Sequence, residues 1–363
     1  MNSIAIGIDI GGSHISTALV NPNGKFITKE TISFLKPPDG KQGIRLIKQL
    51  VKTLLDSKIQ NLKSKIKPAG IGIACPGCVD HEKGVVLSDS PNLIGWKGTQ
   101  VKTVLEYLVL KHFRLKIPVF VDNDANLAAL GENTFGAGKN ARNLICLTLG
   151  TGVGGGIIIN NQIYHGSHFY AGEIGHMTIS LFNEQCSMNN VQCPTRPNDR
   201  PVGQAGPICS CGKRGHLEAL VSGPAIVREF TAESRRTQRN KKILSLRPLC
   251  LCGGNKELTA KMVFDAARKG DKIAGLVIEQ ATYYLGCAVS SLINTFDPEV
   301  VVIGGGIAQA GDILFKPLRL MVKDGIMPHL YRRPKVVPAK LGENAGLLGA
   351  AAVVFSSLPR RTI

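Results

Sequence analysis

The sequence predicts an α/β fold of two similar lobes with a central cleft between them. Each half of the chain opens with a strand, a glycine-rich turn and a second strand, and helical patterns follow. The length of 363 residues suits two domains at about 150 residues each. A composition with 44% hydrophobic and 19% charged residues excludes wholesale disorder.

The first half alternates strands with helices. β-Branched and apolar runs predict the strands, and apolar residues at helical spacing predict an amphipathic helix after them. The turn Asn21-Pro22-Asn23-Gly24 separates the second and third strands. The predicted strands are 4–10, 14–21, 25–33, 69–74 and 118–121, and the predicted helices are 43–58 and 99–113.

The second half repeats this order and contains an irregular insertion, 178–207, which is rich in Asn, Pro and Gly. We expect a first lobe over 1–122 and a second over 123–344, with a last helix in 345–363 that packs back on the first lobe. The predicted strands are 144–149, 157–160 and 300–303. The predicted helices begin at Leu127 and cover 259–269, 273–295 and 345–355.

The net charge of +18 attracts anionic ligands in general. The basic residues lie in separate clusters, and one Trp and six Tyr leave few rings for base stacking, so we expect no nucleic-acid partner. We expect no membrane span, and the first residues lack the pattern of a signal peptide. These features predict a cytoplasmic protein whose ten cysteines are thiols or metal ligands.

Two glycine-rich turns are candidate phosphate sites. In Asp9-Ile10-Gly11-Gly12-Ser13, backbone N–H groups can face phosphate while the carboxylate serves Mg²⁺. An ordinary hairpin turn is the alternative. The segment 150–156 holds five glycines between two strands, and its pattern is neither a Walker loop nor a dinucleotide fingerprint.

Polar residues follow the buried strand 118–121 directly. Asp122, Asn123, Asp124 and Asn126 stand between this strand and a helix, at the expected lobe boundary. Such positions often place reactive groups in clefts. The alternative is that Asp124 merely caps the helix.

Cysteine and histidine residues indicate a tetrahedral Zn²⁺ site. Cys209 and Cys211 form a Cys-x-Cys knuckle, His216 follows on the same segment, and His176 lies in Gly-Glu-Ile-Gly-His. Cys186 and Cys193 are rival ligands within the insertion.

A second cysteine pair, Cys75-Pro76-Gly77-Cys78, resembles a redox Cys-x-x-Cys motif. It follows a strand and opens no evident helix, so the sequence disfavours redox activity.

Taken together, several segments resemble the ROK family of bacterial repressors and sugar kinases, which has the two-lobed actin/hexokinase-type (ribonuclease H-like) fold. The resemblance covers nearly the whole chain and rests on motifs in the expected order. These are IGIDIGGS, GIACPGCVD, SPNLIGW, VDNDANLAALGE, LTLGTGVGGG, AGEIGHM, CSCGKRGHLEA and VVIGGGI.

The resemblance implies roles for individual residues. Asp124 matches the catalytic base that takes a proton from a sugar hydroxyl. The sugar-binding positions are Gly77, Asn92, Asn123, Asp124, Glu173, His176 and Glu218. The positions that hold ATP are Asp9, Gly11, Gly12, Ser13, Gly150, Thr151, Gly152, Gly154, Gly304, Gly305 and Gly306.

Two departures from the family concern the structural zinc site of His176, Cys209, Cys211 and His216. Family members usually have cysteine where this chain has His216, and 32 residues separate His176 from Cys209, far more than is usual. Imidazole remains a suitable zinc ligand but changes the charge of the site by one unit.

The resemblance implies a homodimeric, ATP- and Mg²⁺-dependent kinase that phosphorylates glucose at the C6 hydroxyl. N-Acetylmannosamine, N-acetylglucosamine and fructose are alternative sugars, and inorganic polyphosphate is an alternative donor that suits the positive charge. A sugar-responsive repressor is the alternative from another class. The family's repressors carry a helix-turn-helix domain before the first glycine motif, whereas Asp9 stands close to the start here.

Overall fold

The computed structural model describes residues 4–54, 68–90, 94–179, 206–239, 257–329 and 334–357. Their contacts form two compact units. The first comprises the described parts of Met1–Cys146, Gly155–Gly172 and Ala339–Ile363, and the second those of Leu147–Gly154 and Glu173–Pro338. These bounds differ from the predicted lobes because residues 123–146, 155–172 and 339–344 belong to the first unit. The predicted division therefore stays a proposal.

The first unit contains a five-stranded sheet in the order β3-β2-β1-β4-β7. The strands are β1 (Ile4–Ile10), β2 (His14–Val20), β3 (Phe26–Ser33), β4 (Pro68–Cys75) and β7 (Val119–Asn123). β1, β2 and β3 pair antiparallel, whereas β1, β4 and β7 run parallel. A small hairpin pairs β5 (Val79–Asp80) with β6 (Val85–Val86).

Helices cover this sheet and bury an apolar core. They are α1 (Gly40–Leu54), α2 (Val101–Phe113), α3 (Asp124–Phe135) and α9 (Ala345–Ser357). Trp96 is fully buried in the core that α1 and α2 share with the sheet, and its indole N–H donates to the Pro38 carbonyl at 2.9 Å. The buried residues of this core are the apolar residues whose spacing predicted the helices and strands.

Glycines let α9 approach the sheet and α3 closely. A Cβ at Gly72 of β4 would collide with the Ala350 carbonyl of α9, and one at Gly349 would collide with the Leu127 carbonyl of α3. Backbone therefore packs against backbone along α9, which lies against β1, β4 and α3.

A second five-stranded sheet has the order β10-β9-β8-β11-β12. Its strands are β8 (Leu144–Leu149), β9 (Val153–Ile159), β10 (Gln162–Ile163), β11 (Val300–Gly304) and β12 (Lys335–Pro338). The helices of the second unit are α4 (Glu218–Val221), α5 (Gly223–Arg239), α6 (Ala260–Arg268), α7 (Lys272–Phe296) and α8 (Asp312–Gly325).

The mixed α/β class is confirmed, and each predicted element that falls on described residues is present, with its ends moved by up to four residues. The sequence did not predict the helices α4, α5 and α8 or the strands β5, β6, β10 and β12. Pro317 lies inside α8, where a proline ordinarily predicts a helix end. α7 is long and apolar enough to cross a membrane, but 56% of its most apolar stretch is buried within the protein, as in a core helix.

Candidate active site

The site begins at the carboxyl ends of the three parallel strands in the first unit. Asp9 of β1 and Asp122 of β7 are both in register with Ala74 of β4, and Asn123 is in register with Cys75. Ligands of open α/β sheets bind at this edge. The register therefore groups the first glycine turn and the polar segment after β7 on one side of the sheet.

Asn123 forms the junction between β7 and α3. Its Oδ1 accepts from the N–H groups of Ala125 at 2.9 Å and Asn126 at 3.1 Å, so Asn123 caps the helix. The prediction that the helix begins at Leu127 was wrong, and Asn123, rather than the alternative Asp124, is the cap. The N–H groups in the first turn of a helix have no carbonyl acceptor within the helix, and the Asn123 carboxamide oxygen accepts from two of them. This allows α3 to begin at Asp124 directly after the strand.

The Asp124 carboxylate is held at this junction. Its Oδ1 accepts from Asn123 Nδ2 at 3.0 Å and from the Ala125 N–H at 2.9 Å. Asn123 Nδ2 also donates to the Gly77 carbonyl at 3.0 Å. Gly77 has a φ of +90° and would bring a Cβ to 2.8 Å from the Ser88 carbonyl, so a glycine is required there. Gly77, Asn123 and Asp124 thus lie together.

Asp9 stands at the end of β1 before the first glycine turn. The Gly11 N–H donates to the His14 carbonyl at 2.9 Å, which closes the turn that Gly12 and Ser13 complete. Burial and the charge of Asp124 raise the pKa of Asp9 to about 7, although Lys29 lowers it. Asp9 and Asp124 are therefore close enough for their negative charges to oppose each other.

The second glycine segment is divided between a turn and a strand. The turn covers 150–152, where the Gly150 N–H donates to the Gly152 carbonyl at 2.9 Å, and β9 begins at Val153. The predicted strand 157–160 therefore began too late, and Gly154 lies in β9 rather than in the turn. Gly156 allows α3 to approach, since a Cβ there would come within 2.7 Å of the Ala125 carbonyl.

The third glycine turn adjoins the second. Gly304 ends β11, and Gly305 has a φ of +84° and lies against the backbone of Leu149. Gly306 then precedes a 3-10 turn over Ile307–Ala310. Leu149 immediately precedes Gly150, so two of the three predicted nucleotide turns lie side by side in the second unit.

Glu173, His176 and Glu218 lie near one another in the second unit. Glu173 precedes the 3-10 turn Ile174–His176, and its Oε2 lies 3.6 Å from His176 Nε2. Burial and the charge of Glu218 raise the pKa of Glu173, whereas His176 lowers it. Burial opposes ionisation of Glu218, but hydrogen bonds from Ser210, Val153 and Cys209 lower its pKa overall.

The four predicted zinc ligands form one cluster. One ligand atom from each of them lies within 4.8 Å of the others. Cys209 Sγ is 3.5 Å from His176 Nδ1, and Cys211 Sγ is 3.2 Å from His216 Nδ1. The sulfur and nitrogen ligands of tetrahedral Zn²⁺ are roughly 3.6 Å apart. The donor set and its spacing therefore fit zinc.

A sequence profile of the ROK family matches residues 5–356. The chain belongs to the ROK family. The imidazole of His216, the residue that departs from the expected cysteine, lies in one cluster with His176, Cys209 and Cys211.

Similar ROK proteins include kinases and repressors. A glucokinase from Thermotoga maritima is 36% identical over 96% of both chains. A xylose repressor from Caldicellulosiruptor bescii is 28% identical over 97% of this chain and 78% of its own. The solved structure of a ROK family glucokinase from Streptomyces griseus, in complex with glucose and AMPPNP, superposes with a TM-score of 0.72 at 29% identity, covering 98% of this chain and all of that one. The fold is the actin/hexokinase type that the resemblance implied.

Three predicted candidates of this ROK chain, Asn92 and the rival ligands Cys186 and Cys193, lie outside the described residues. Cys75 and Cys78 are both buried and form no disulfide bond. Burial and the charges of Asp124 and Asp9 raise the pKa of Cys75 far above its usual range, so a reactive thiolate is disfavoured. That this pair is not a redox motif stays a prediction.

Sequence reasoning missed several residues that hold the site. Asp122 was recognised as polar but given no role, and His165 and Ser210 were not considered. Ser210 Oγ donates to Glu218 Oε1, and His165 Nε2 lies 2.7 Å from Asp122 Oδ2. A serine between two knuckle cysteines was a possible signal, whereas nothing in the sequence places His165 beside β7.

Proposed function

We propose that this protein is an ATP-dependent hexose kinase that phosphorylates the C6 hydroxyl of glucose. The family and the similarity to glucokinases support the reaction class. The observation that carries the proposal is the fixed carboxylate of Asp124 at the strand edge that also bears Asp9.

Asp124 has the features of a general base. A sugar hydroxyl is a weak nucleophile near neutral pH, so a carboxylate must accept its proton as the oxygen attacks phosphorus. Two donors hold Oδ1 of Asp124, which fixes the plane of the carboxylate and the direction of Oδ2. Such positioning, together with charge neutralisation, supplies most of the catalysis in phosphoryl transfer.

Sugar binding is proposed for two sets of residues, each of which is described within its own unit. In the first unit Asn123, Gly77 and Asp124 offer carboxamide, backbone and carboxylate groups, and Asn92 completes the predicted set. In the second unit Glu173 and Glu218 can each accept from hydroxyl groups. His176 turns Nδ1 toward Cys209 and Nε2 toward Glu173, so Nε2 is the nitrogen suited to a sugar hydroxyl.

The glycine turns are the proposed nucleotide-binding segments. The turn 11–13 and the turn 150–152 offer backbone N–H groups to phosphate, and Gly304–Gly306 is assigned to the adenosine side. Asp9 and the nearby Asp124 supply the oxygen ligands that Mg²⁺ prefers, and their mutual repulsion favours a cation there. When bound there, Mg²⁺ would supply positive charge that offsets the negative charge of the transferred phosphoryl group.

Zinc would be held by His176, Cys209, Cys211 and His216. With four protein ligands a zinc ion would have no open position for substrate, so its role would be to brace the segment that carries Glu218. In this proposal the zinc site would be structural, and the carboxylates would carry out the chemistry.

A coupled assay with the purified protein, MgATP and a sugar panel tests the proposal. The panel contains glucose, fructose, N-acetylmannosamine and N-acetylglucosamine, with a parallel arm that replaces ATP by polyphosphate. We expect kcat/KM for glucose to exceed the others by about tenfold or more, which is 1.4 kcal/mol in transition-state binding. A similar preference for an acetylated sugar, or phosphorylation at a position other than C6, would contradict the glucose assignment. Absence of turnover with every sugar and donor would contradict the kinase.

The predicted homodimer, cytoplasmic location and absence of nucleic-acid and membrane partners remain proposals. Light scattering on the purified protein measures the oligomeric state directly, and a homodimer has a mass of twice 38.8 kDa.

A further inference from the structure

His165 follows β10 and meets the end of β7. Its Nε2 lies 2.7 Å from Oδ2 of Asp122, and both side chains are largely buried, at 16% and 5% exposed. Because a carboxylate accepts hydrogen bonds, Nε2 of His165 carries the hydrogen that is donated to Asp122. This contact lies wholly within the first unit.

The other oxygen of Asp122 holds the segment that carries Asp124. Asp122 Oδ1 accepts from the Asn123 N–H at 2.7 Å and from Asn126 Nδ2 at 3.1 Å. Asn126 is 3% exposed and lies in the first turn of α3. The Asp122 carboxylate thus spans the junction, with Asp124 between its two partners in sequence.

His165 is itself held in place by other rings. Its imidazole stacks on that of His81 with 3.5 Å between centroids and 6° between planes. His81 in turn meets Phe169 edge-on at 5.3 Å, and the Phe169 carbonyl accepts from Cys78 Sγ at 3.3 Å. The ring of His165 therefore has little freedom to rotate away from Asp122.

We propose that His165 is a positioning residue, which acts through Asp122 to orient the Asn123–Asp124 junction for phosphoryl transfer. The role in catalysis rests on the proposed function, whereas the orientation of the junction does not. Without a donor at Oδ2 the buried carboxylate of Asp122 lacks one of its partners, which is unfavourable. The carboxylate then rotates or draws in water, and Asn123 and Asn126 move with it.

Three variants separate this role from general stability. His165→Leu removes the donor, and His165→Gln offers an amide N–H in a side chain of similar reach. His112→Leu is the control, since His112 is an exposed histidine at the end of α2. We expect His165→Leu to lower kcat at least about tenfold with KM for glucose within threefold, because small displacements of a catalytic group reduce rate strongly. We expect His165→Gln to recover most of the loss and His112→Leu to match the wild type.

Hydrogen exchange gives a second readout that does not need activity. Peptides covering 120–130 should exchange faster in His165→Leu than in His165→Gln or the wild type, while peptides of α2 stay unchanged. Equal kcat and equal exchange in all variants would overturn the inference, as would a loss in His165→Gln as large as in His165→Leu. If the wild type has no kinase activity but the variants show the expected exchange pattern, the proposed function is refuted. The inference that His165 orients the junction then still holds.

Discussion

The Glu218 carboxylate accepts a hydrogen bond from the backbone N–H of Val153, with 3.1 Å between Oε2 and N. Val153 directly follows the turn 150–152, while Oε1 of the same carboxylate accepts from Ser210 in the cysteine knuckle. One side chain thus connects a proposed sugar and metal segment to a proposed nucleotide turn, and all of these residues belong to the second unit.

Glu218→Gln should therefore weaken the binding of both glucose and ATP. The neutral amide weakens the charge-assisted bonds to Ser210 and Val153, each worth about 1.5–3 kcal/mol. We expect KM for glucose to rise about tenfold or more and KM for ATP to rise measurably, by steady-state kinetics. Glu279→Gln, on an exposed position of α7, is the matched control and should leave both unchanged. A rise confined to glucose would argue against the link through Val153.

The metal cluster predicts about one zinc ion per chain. Cys211→Ala removes one of the four clustered ligands, so elemental analysis should find less zinc and the melting temperature should fall. Cys287→Ala, on α7, should change neither, because Cys287 is not part of this cluster. If Cys186→Ala loses zinc while His216→Ala retains it, the ligand set assigned here is wrong.

We expect the stability of the protein to depend on pH through the titration of His81. Burial and the charge of His165 lower its pKa below the usual 6.5, while Asp122, Glu82 and Asp80 oppose the shift. A lowered pKa means that the folded state favours the neutral ring, so this contribution is present above pH 6.5 and is lost as the pH falls. The urea midpoint of the wild type should therefore fall relative to that of His81→Phe between pH 7.5 and 5. A difference that is constant with pH would contradict the assignment.

The close packing of α9 predicts a cost for a methyl group at Gly72. Gly72→Ala should lower the free energy of unfolding by about 1–3 kcal/mol or more. The added methyl group would collide with the backbone carbonyl of Ala350, which cannot easily move aside. Gly275→Ala is the control, since nothing lies within 4 Å of its Cβ position in α7. That substitution should instead stabilise the protein by about 0.5–1 kcal/mol. Equal effects of the two substitutions would refute the packing argument.

Local patterns were enough to predict the elements on which the site is built. β-Branched and apolar runs identified β1, β4 and β7, and helical spacing identified α7. The Cys-x-Cys knuckle with His176 identified ligand atoms that the fold brings together. These signals depend on residue type and spacing, which the sequence shows directly.

Features that depend on tertiary contacts could not be predicted in this way. Gly154–Gly156 looked like a turn because the approach of α3 to Gly156 is invisible in the sequence. The helix start was misplaced because Asn123 caps α3 through a side-chain geometry that Asp124 could equally have adopted. His165 meets Asp122 across 43 residues of chain, so no local pattern connects them.

The most direct test of the central claim is the turnover of Asp124→Asn with glucose and MgATP. Asparagine keeps the size of the side chain and an oxygen acceptor for the Ala125 N–H but cannot take up a proton at neutral pH. We expect glucose binding within a few-fold of wild type by calorimetry and kcat reduced by about 10²-fold or more. The exposed Asp324→Asn serves as control and should retain wild-type kcat. A kcat for Asp124→Asn within threefold of wild type would contradict the account.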